Sequence, residues 1–237
     1  MTNTLLKAAK GLRRDFNELE KIQNSNIVTN SFVENSIKNM REIISFDLLK
    51  ARPEWKIEFI NENLVENIKI EENGFIINPI SGLKNYSNGI SYFASSIALL
   101  VKGEVVASVI YDPIKDELFI AEKGKGAFMN NIRMRVSSSN KIKNSLMVLD
   151  DIDILRCFSN KYKNILDLAD VKIFGSNSLD LANMASGKID CYLTKDLNNE
   201  ACIAGLFLVR ESGGITIDLF NEKISIVTNN GLVDNFR

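Results

Sequence analysis

The chemistry open to this chain is limited first by a missing residue type, because none of its 237 residues is a histidine. Histidine is the commonest general base and metal-binding side chain, so its absence excludes Ser-His and Cys-His catalysis and histidine-bound zinc. Cys157, Cys191 and Cys202 have neither paired nor metal-type spacing, which is typical of buried thiols in a reducing compartment. Hydrolysis would therefore need carboxylates, lysine, tyrosine or a hard metal ion on oxygen ligands.

Three short motifs could carry such chemistry, and each has a simpler structural interpretation. Asp150-Asp151 with Asp153 could form a metal cluster, but adjacent acids before a helix are usually favoured by the helix dipole. Gly124-Lys125-Gly126 lacks the flanking pattern of a nucleotide-binding loop and predicts a hairpin turn. A basic stripe near the N-terminus could bind RNA or an acidic protein, although a solvated helix face explains it as well. Its members are Lys7, Lys10, Arg13 and Arg14.

The overall composition is that of an ordinary globular protein. Hydrophobic residues make up 45% and charged residues 25%, which is enough to bury a full core. The formal net charge of −1 gives no global attraction to nucleic acid or membrane. Residues 1–16 lack the continuous apolar core of a signal peptide, and no segment approaches the roughly 20 apolar residues of a membrane span. We therefore expect a cytoplasmic protein without a membrane partner.

Periodicity predicts the elements that must position any site. Apolar residues at helical spacing predict helices at about 5–23 and 31–50, the second closed by Pro53. Five short apolar or alternating segments then predict strands in a largely antiparallel meander. They lie at 56–60, 75–77, 95–101, 105–111 and 117–123.

The C-terminal part changes to strand-helix alternation, which is typical of an α/β fold with some parallel pairing. The predicted strands lie at 148–150, 171–174, 189–193 and 215–218, and the predicted helices lie at 152–158, 179–186 and 201–212. The polar segment 137–143 marks a boundary between the two parts. We accordingly divide the chain into an N-terminal α+β lobe (1–140) and a C-terminal α/β lobe (141–237).

Several separated blocks resemble the inositol monophosphatase family in the right order. The segment 78–85, Asn-Pro-Ile-Ser-Gly-Leu-Lys-Asn, is similar to the family's Asp-Pro-Ile/Leu-Asp-Gly-Thr-x-Asn loop, which binds magnesium and phosphate. Further matching blocks lie at 111–119, 121–128, 175–190 and 204–214. The resemblance covers nearly the whole chain. It implies a layered α-β-α-β-α sandwich of the inositol monophosphatase/fructose-1,6-bisphosphatase type.

The resemblance also shows that the side chains of the family's site are replaced. In the family, carboxylates from three elements hold two or three Mg²⁺ ions, and a Thr-Asp pair activates water. The catalytic positions fall on Phe32, Leu83 and Thr194, and the metal positions fall on Asn61, Glu62, Asn78, Ile80, Ser81 and Ala201. Asn and Ser offer only neutral oxygens, and leucine cannot orient a water molecule. We therefore expect neither an intact catalytic residue nor a bound cofactor.

One carboxylate could survive, because the family's Glu-Glu pair aligns with Asn61-Glu62 with a one-residue uncertainty. An active Mg²⁺-dependent phosphomonoesterase with a rearranged site around Glu62 therefore stays as the alternative. Such a site would recruit nearby acids, namely Glu58, Glu66, Glu71 and Glu72.

A protein without hydrolytic chemistry could still act by binding. In the family the Gly-Thr segment opens a helix whose N–H groups receive phosphate, and helix N-termini attract anions. The resemblance thus implies a phosphate or sugar-phosphate site at Gly82, Leu83, Lys84, Gly175 and Ser176. Family members usually form homodimers, and some bacterial members, of the extragenic-suppressor type, contact the transcription machinery. The sequence therefore predicts a pseudophosphatase that binds a phosphorylated ligand or such a protein partner.

Overall fold

The computed structural model describes residues 1–22, 26–60, 72–158, 163–195, 200–219 and 224–236. Its helices are α1 (Thr2–Ile22), α2 (Asn26–Ala51), α3 (Leu83–Ser87), α4 (Ile152–Phe158), α5 (Lys163–Leu166), α6 (Asn177–Ala185) and α7 (Glu200–Glu211), with a 3-10 turn at Val233–Asn235. The first seven strands are β1 (Lys56–Phe59), β2 (Gly74–Ser81), β3 (Ala94–Val101), β4 (Glu104–Asp112), β5 (Glu117–Glu122), β6 (Gly126–Met129) and β7 (Ile132–Arg133). The last five are β8 (Leu146–Leu149), β9 (Asp170–Lys172), β10 (Cys191–Thr194), β11 (Ile215–Leu219) and β12 (Ile224–Thr228).

The first sheet contains seven strands in chain order, β1 to β7. Strand β1 runs parallel to β2, and all later neighbours are antiparallel, which confirms the predicted meander. The β3–β4 turn places Lys102 and Gly103 at positive φ, as a tight hairpin requires. Helices α1 and α2 cover one face of this sheet, because α1 buries an apolar stripe at helical spacing. The stripe comprises Leu5, Ala8, Leu12, Phe16 and Leu19.

The second sheet has five strands in the order β11-β12-β10-β8-β9. Strand β8 is parallel to β9 and β10, whereas β12 is antiparallel to both of its neighbours. Helices α6 and α7 lie between the two sheets, and their apolar side chains share one core with residues of both sheets. Helices α4 and α5 and the C-terminal residues cover the outer face of the second sheet. The layers are therefore α-β-α-β-α, which confirms the predicted fold class.

Some element bounds differ from the sequence prediction for physical reasons. Helix α2 begins at Asn26 rather than near residue 31, because no glycine or proline between residues 26 and 50 interrupts it. Strand β12 was not predicted, since all five of its residues are buried between β10 and β11 and show no alternation. No helix in the described ranges combines the length and apolar character needed to cross a membrane. The division at residue 140 stays a prediction.

Candidate functional site

The end of β2 carries the first residues singled out by the sequence. The prediction of a loop from residue 78 onward is wrong for Asn78 and Ser81, because both residues lie within strand β2. Ser81 pairs with Ala94 of β3, and an irregularity between Asn78 and Ser81 shifts the register of the ladder. Both polar side chains are only 1% exposed. A buried amide or hydroxyl must find hydrogen-bond partners, so their surroundings decide what the site can do.

Asn78 faces helices α6 and α7. Along β2, Ile76 belongs to the core shared with those helices, whereas Phe75 and Ile77 belong to the core shared with α1 and α2. Successive side chains of a strand point to opposite faces, so Asn78 follows Ile76. It lies opposite Ser96 of β3. Its amide nitrogen Nδ2 is buried and has no hydrogen-bond partner among the residues that the structure describes.

Ser81 joins the first sheet to the start of α6. Its Oγ accepts a hydrogen bond from the backbone N–H of Ser178 at 3.1 Å, as the oxygen of a helix N-cap does. The Ser176 hydroxyl donates to the carbonyl oxygen of Ser81 at 3.0 Å and lies 3.2 Å from its Oγ. Ser81 therefore caps a helix from the other half of the chain.

The next residue, Gly82, fits closely against the same segment. Gly82 has φ +88°, and a Cβ added there would lie 3.0 Å from the Ser176 Cβ and 3.1 Å from the carbonyl oxygen of Gly175. A side chain at this position would be strained and would also crowd Ser176 and Gly175, just before α6. The structure thus brings together Ser81, Gly82, Gly175 and Ser176, four of the predicted site residues from two distant blocks.

Asn85 anchors the segment after the loop. Its Nδ2 donates to the carbonyl oxygens of Tyr92 and Phe174, each at 2.8 Å. Tyr92 in turn donates its hydroxyl to Asp180 Oδ1 at 2.6 Å and accepts from Asn183 Nδ2 at 3.2 Å. These bonds hold residues 85–92 against α6. Sequence inspection missed the Tyr92–Asp180 pair, because nothing in either local pattern marks a contact between residues 88 positions apart.

The remaining loop positions point elsewhere. Ile80 is buried in the core with α1 and α2, and Phe32 and Leu83 are half-buried against that same core. Lys84 is exposed. Gly82 and Leu83 already take part in interactions of their own.

Two further predicted positions, Thr194 and Ala201, lie at the end of β10 and near the start of α7. Thr194 is buried and donates its hydroxyl to Asp150 Oδ2 at 3.0 Å. Ala201 is 8% exposed near the start of α7, and its neighbour Cys202 lies 3.5 Å from the Asn177 amide nitrogen. Asp150 therefore does not cap α4. That role belongs to Asp151, whose Oδ1 accepts the N–H of Asp153 at 2.8 Å.

Burial dominates the electrostatics of this layer. Burial raises the pKa of Asp180 to about 7. The hydrogen bond from Tyr92 lowers this pKa, and the nearby charge of Asp150 raises it. Burial also raises the pKa of Asp150, although the hydrogen bond from Thr194 opposes this. The pKa of Tyr92 is raised by burial first and then by Asp180. Around neutral pH, Asp180 therefore exchanges between a carboxylate and a neutral acid.

The predicted positions Asn61 and Glu62 lie outside the described residues, as do Glu66 and Glu71. Glu58 and Glu72 are described, and both are exposed, with Glu72 3.9 Å from Lys56. Within the described ranges, no three His, Cys, Asp or Glu side chains come together in a way that could hold a metal ion.

Known proteins resemble this chain over nearly all of its length. The model of the inositol monophosphatase family matches residues 1–236. An inositol-1-monophosphatase of Rhizobium meliloti is 35% identical over 225 residues, covering 92% of this chain and 84% of that protein. Nus factor SuhB of Salmonella typhimurium is 30% identical over 237 residues, covering 98% of this chain and 88% of that protein.

A solved structure agrees with these sequence matches. The extragenic suppressor protein suhB of Bartonella henselae superposes with a TM-score of 0.81 and 32% identity, covering 98% of this chain and 93% of that one. The fold, the order of the blocks and the extent of the matches lead to one assignment. This chain belongs to the inositol monophosphatase family.

Proposed function

We propose that this protein acts by binding rather than by the metal-dependent hydrolysis of its family. The observation that carries the proposal is the hydrogen bond that the Ser81 hydroxyl accepts from the start of α6. This residue occupies a family metal position, yet its hydroxyl caps α6 at 3.1 Å from the Ser178 nitrogen. A side chain committed to a helix cap is poorly placed to bind a cation.

The donor set at the other described metal positions does not fit Mg²⁺. This ion is held through carboxylate oxygens in a near-octahedral shell and gives up its water reluctantly. Asn78 contributes an amide whose nitrogen, a hydrogen-bond donor, is buried and finds no partner within the described ranges, and the side chain of Ala201 has no ligating atom. An orphaned donor beside the site is the opposite of what a cation needs. We therefore assign no step of the protein's activity to a metal ion.

The ligand we propose is a phosphate or sugar phosphate bound where β2 meets the start of α6. Gly82, Leu83, Lys84, Gly175 and Ser176 delimit this region. The direct bonds between Ser176 and Ser81 support the idea that the two blocks still form one site. Gly175 is exposed, which gives the region an opening to solvent.

A protein partner is the second part of the proposal. Several relatives that are about 30% identical are named Nus factor SuhB, which supports a partner in the transcription machinery. That kind of contact does not require hydrolytic chemistry, so a chain with a replaced metal site can keep it. We further propose a homodimer, which sedimentation analysis of the purified protein can test.

The competing function is Mg²⁺-dependent hydrolysis of phosphomonoesters, which the relatives named inositol-1-monophosphatase favour. The deciding experiment measures phosphate release from inositol 1-phosphate and a phosphomonoester panel with and without Mg²⁺. It compares the natural protein with Glu62→Ala and with Glu34→Ala, an exposed acid of α2 that serves as the matched control. A family enzyme serves as the positive control.

We expect no turnover above the Glu62→Ala background, because single catalytic groups are commonly worth orders of magnitude in rate. Turnover that Glu62→Ala abolishes and Glu34→Ala preserves would overturn the proposal. It would mean that the protein holds a relocated metal site around Glu62.

A further inference from the structure

We propose that a cleft beside α7 binds an apolar carboxylic acid, whose carboxylate pairs with the guanidinium of Arg210. The cleft lies where α7 passes between the two sheets, with β4 on one side and β11 on the other, and it has a volume of about 500 Å³. Sites for small organic molecules usually have volumes of about 300–1,000 Å³. None of its lining residues belongs to the region proposed for phosphate, so this inference goes beyond the proposed function.

The walls of the cleft are largely aliphatic. On α7, Ile203, Leu206 and Arg210 follow one another at helical spacing and therefore lie on the same face of the helix. Val105 of β4 and Ile215 of β11 line the cleft from the two sheets. All four aliphatic residues are only partly buried. An apolar molecule in the cleft would remove this surface from water, which is the main source of affinity in such sites.

Arg210 supplies a positive charge to the cleft. Its guanidinium carbon lies 5.3 Å from the centre of the Phe207 ring, so the ring of a buried residue supports the planar group. Among the residues that the structure describes, Arg210 has no carboxylate within ion-pair distance. An arginine held in this way keeps its N–H groups available, and these groups match the two oxygens of a carboxylate.

Two acidic residues near Arg210 are bonded to other donors. Glu211, the next residue of α7, accepts two backbone N–H groups of the turn between β5 and β6, at 3.0 and 3.2 Å. Glu104, at the start of β4, accepts a hydrogen bond from Lys123 Nζ at 2.6 Å. Neither carboxylate is bonded to Arg210, so a ligand can supply the negative charge that its guanidinium lacks.

The balance of groups in the cleft indicates the class of ligand. A phosphate group has several strong acceptor oxygens and needs several donors. The polar side chains of the lining are one guanidinium and the hydroxyl of Thr216 on β11. Such a lining suits a ligand with a single negative charge and an apolar body. Because an exposed ion pair contributes little, we expect the apolar body to provide most of the affinity and Arg210 to provide the preference for a carboxylate.

The test is a calorimetric titration of the full-length protein with three molecules that share one alkyl chain, namely sodium octanoate, 1-octanol and octylammonium chloride. Arg210→Gln removes the charge and keeps part of the side-chain stem. Arg52→Gln is the matched control, because Arg52 is also exposed and its guanidinium carbon lies 5.5 Å from the ring centre of Trp55, outside the cleft. Leu206→Ser reduces the apolar wall without changing the charge.

We expect the natural protein and Arg52→Gln to bind octanoate about fivefold more tightly than octanol, and octylammonium most weakly. Arg210→Gln should bind octanoate and octanol equally, and Leu206→Ser should weaken the binding of both. In protein labelled with ¹³C at the isoleucine δ1-methyl groups, the signal that Ile203→Val removes should shift when octanoate is added.

No binding of octanoate by the natural protein at millimolar concentrations would overturn the inference, as would an unchanged preference for octanoate in Arg210→Gln. Octanoate that binds without shifting the Ile203 signal would lie elsewhere, which would also overturn it. Binding that occurs only at protein concentrations too low for self-association would assign the cleft to a second copy of the chain and overturn it as well. None of these outcomes bears on phosphate binding, because the two regions share no residue.

Discussion

Replacing Asp180 by asparagine tests whether this buried acid destabilises the folded protein at neutral pH. Asp180 lies in the first turn of α6 and is fully buried. Its Oδ1 accepts the Tyr92 hydroxyl, while its buried Oδ2 makes no hydrogen bond with any residue in the described part of the chain. Asp180→Asn keeps an oxygen that can accept from Tyr92, and it cannot carry a charge. The substitution therefore isolates the cost of ionising the acid inside the protein.

The structure gives the sign and the size of that cost. The pKa of Asp180 rises from 3.8 to about 7, mainly through burial, so the folded protein binds a proton that the unfolded chain has released. Between these two pH values the folded state holds more protons, and its stability falls as the pH rises. At 1.36 kcal/mol for each pKa unit, the loss from about pH 4 to pH 7 and above amounts to about 4 kcal/mol. Below about pH 4 the contribution is fully present.

The assay is urea unfolding of the natural protein and Asp180→Asn at pH 5 and pH 8. We expect the free energy of unfolding of Asp180→Asn to exceed that of the natural protein by about 2.6 kcal/mol more at pH 8 than at pH 5, because only the part of the shift between pH 5 and about pH 7 is lost in this window. Glu34→Gln, which changes an exposed acid on α2, is the control for general charge effects. A difference that stays constant across pH would refute the reasoning. It would mean that the Tyr92 hydroxyl and the helix start stabilise the carboxylate enough to cancel its burial.

Two further substitutions test the contacts that hold the layers together. Gly205→Ala should destabilise the protein by about 1–3 kcal/mol or more, because the new Cβ would lie 2.5 Å from the Leu181 Cβ between α6 and α7. An unchanged melting temperature would show that the helices separate freely. Asn85→Ala should cost about 2 kcal/mol, since it leaves the carbonyl oxygens of Tyr92 and Phe174 without their donor. A loss below about 0.5 kcal/mol in urea unfolding would indicate that solvent replaces the amide.

Local pattern predicted most of the fold, because the relevant signals are local. The turn at Lys102-Gly103 and the helical stripe of α1 follow directly from glycine placement and apolar spacing. Strand β2 was predicted to end at residue 77, yet it extends to Ser81 because pairing with Ala94 continues beyond the irregularity. Polar residues at a strand end resemble a loop in sequence. Only the partner strand and α6 reveal that they are buried.

The site could be predicted only through the family resemblance. Ser81 and Ser178 are 97 positions apart, and no periodicity relates them. The resemblance pointed to both blocks, which the structure brings together, but it could not predict which contacts their side chains make in this chain. The capping role of Ser81, the orphaned amide of Asn78 and the Asp150–Thr194 bond depend on packing between layers. They became visible only in three dimensions.

The different connectivities of the two sheets have a consequence for folding kinetics. In the first sheet every strand pairs with its neighbour in sequence, and from β2 onward these pairs are antiparallel, so β2 to β7 can form by adding one strand at a time. In the second sheet, β8 pairs with β10, which lies more than forty residues later in the chain. Strand β12 must also insert between β10 and β11. Distant pairings close slowly because chain entropy must be lost first. We expect pulse-labelled hydrogen exchange to show that the amides of β3 and β4 are protected before those of β10 and β12. In this order of events, α6 packs last against the antiparallel strands that have already formed.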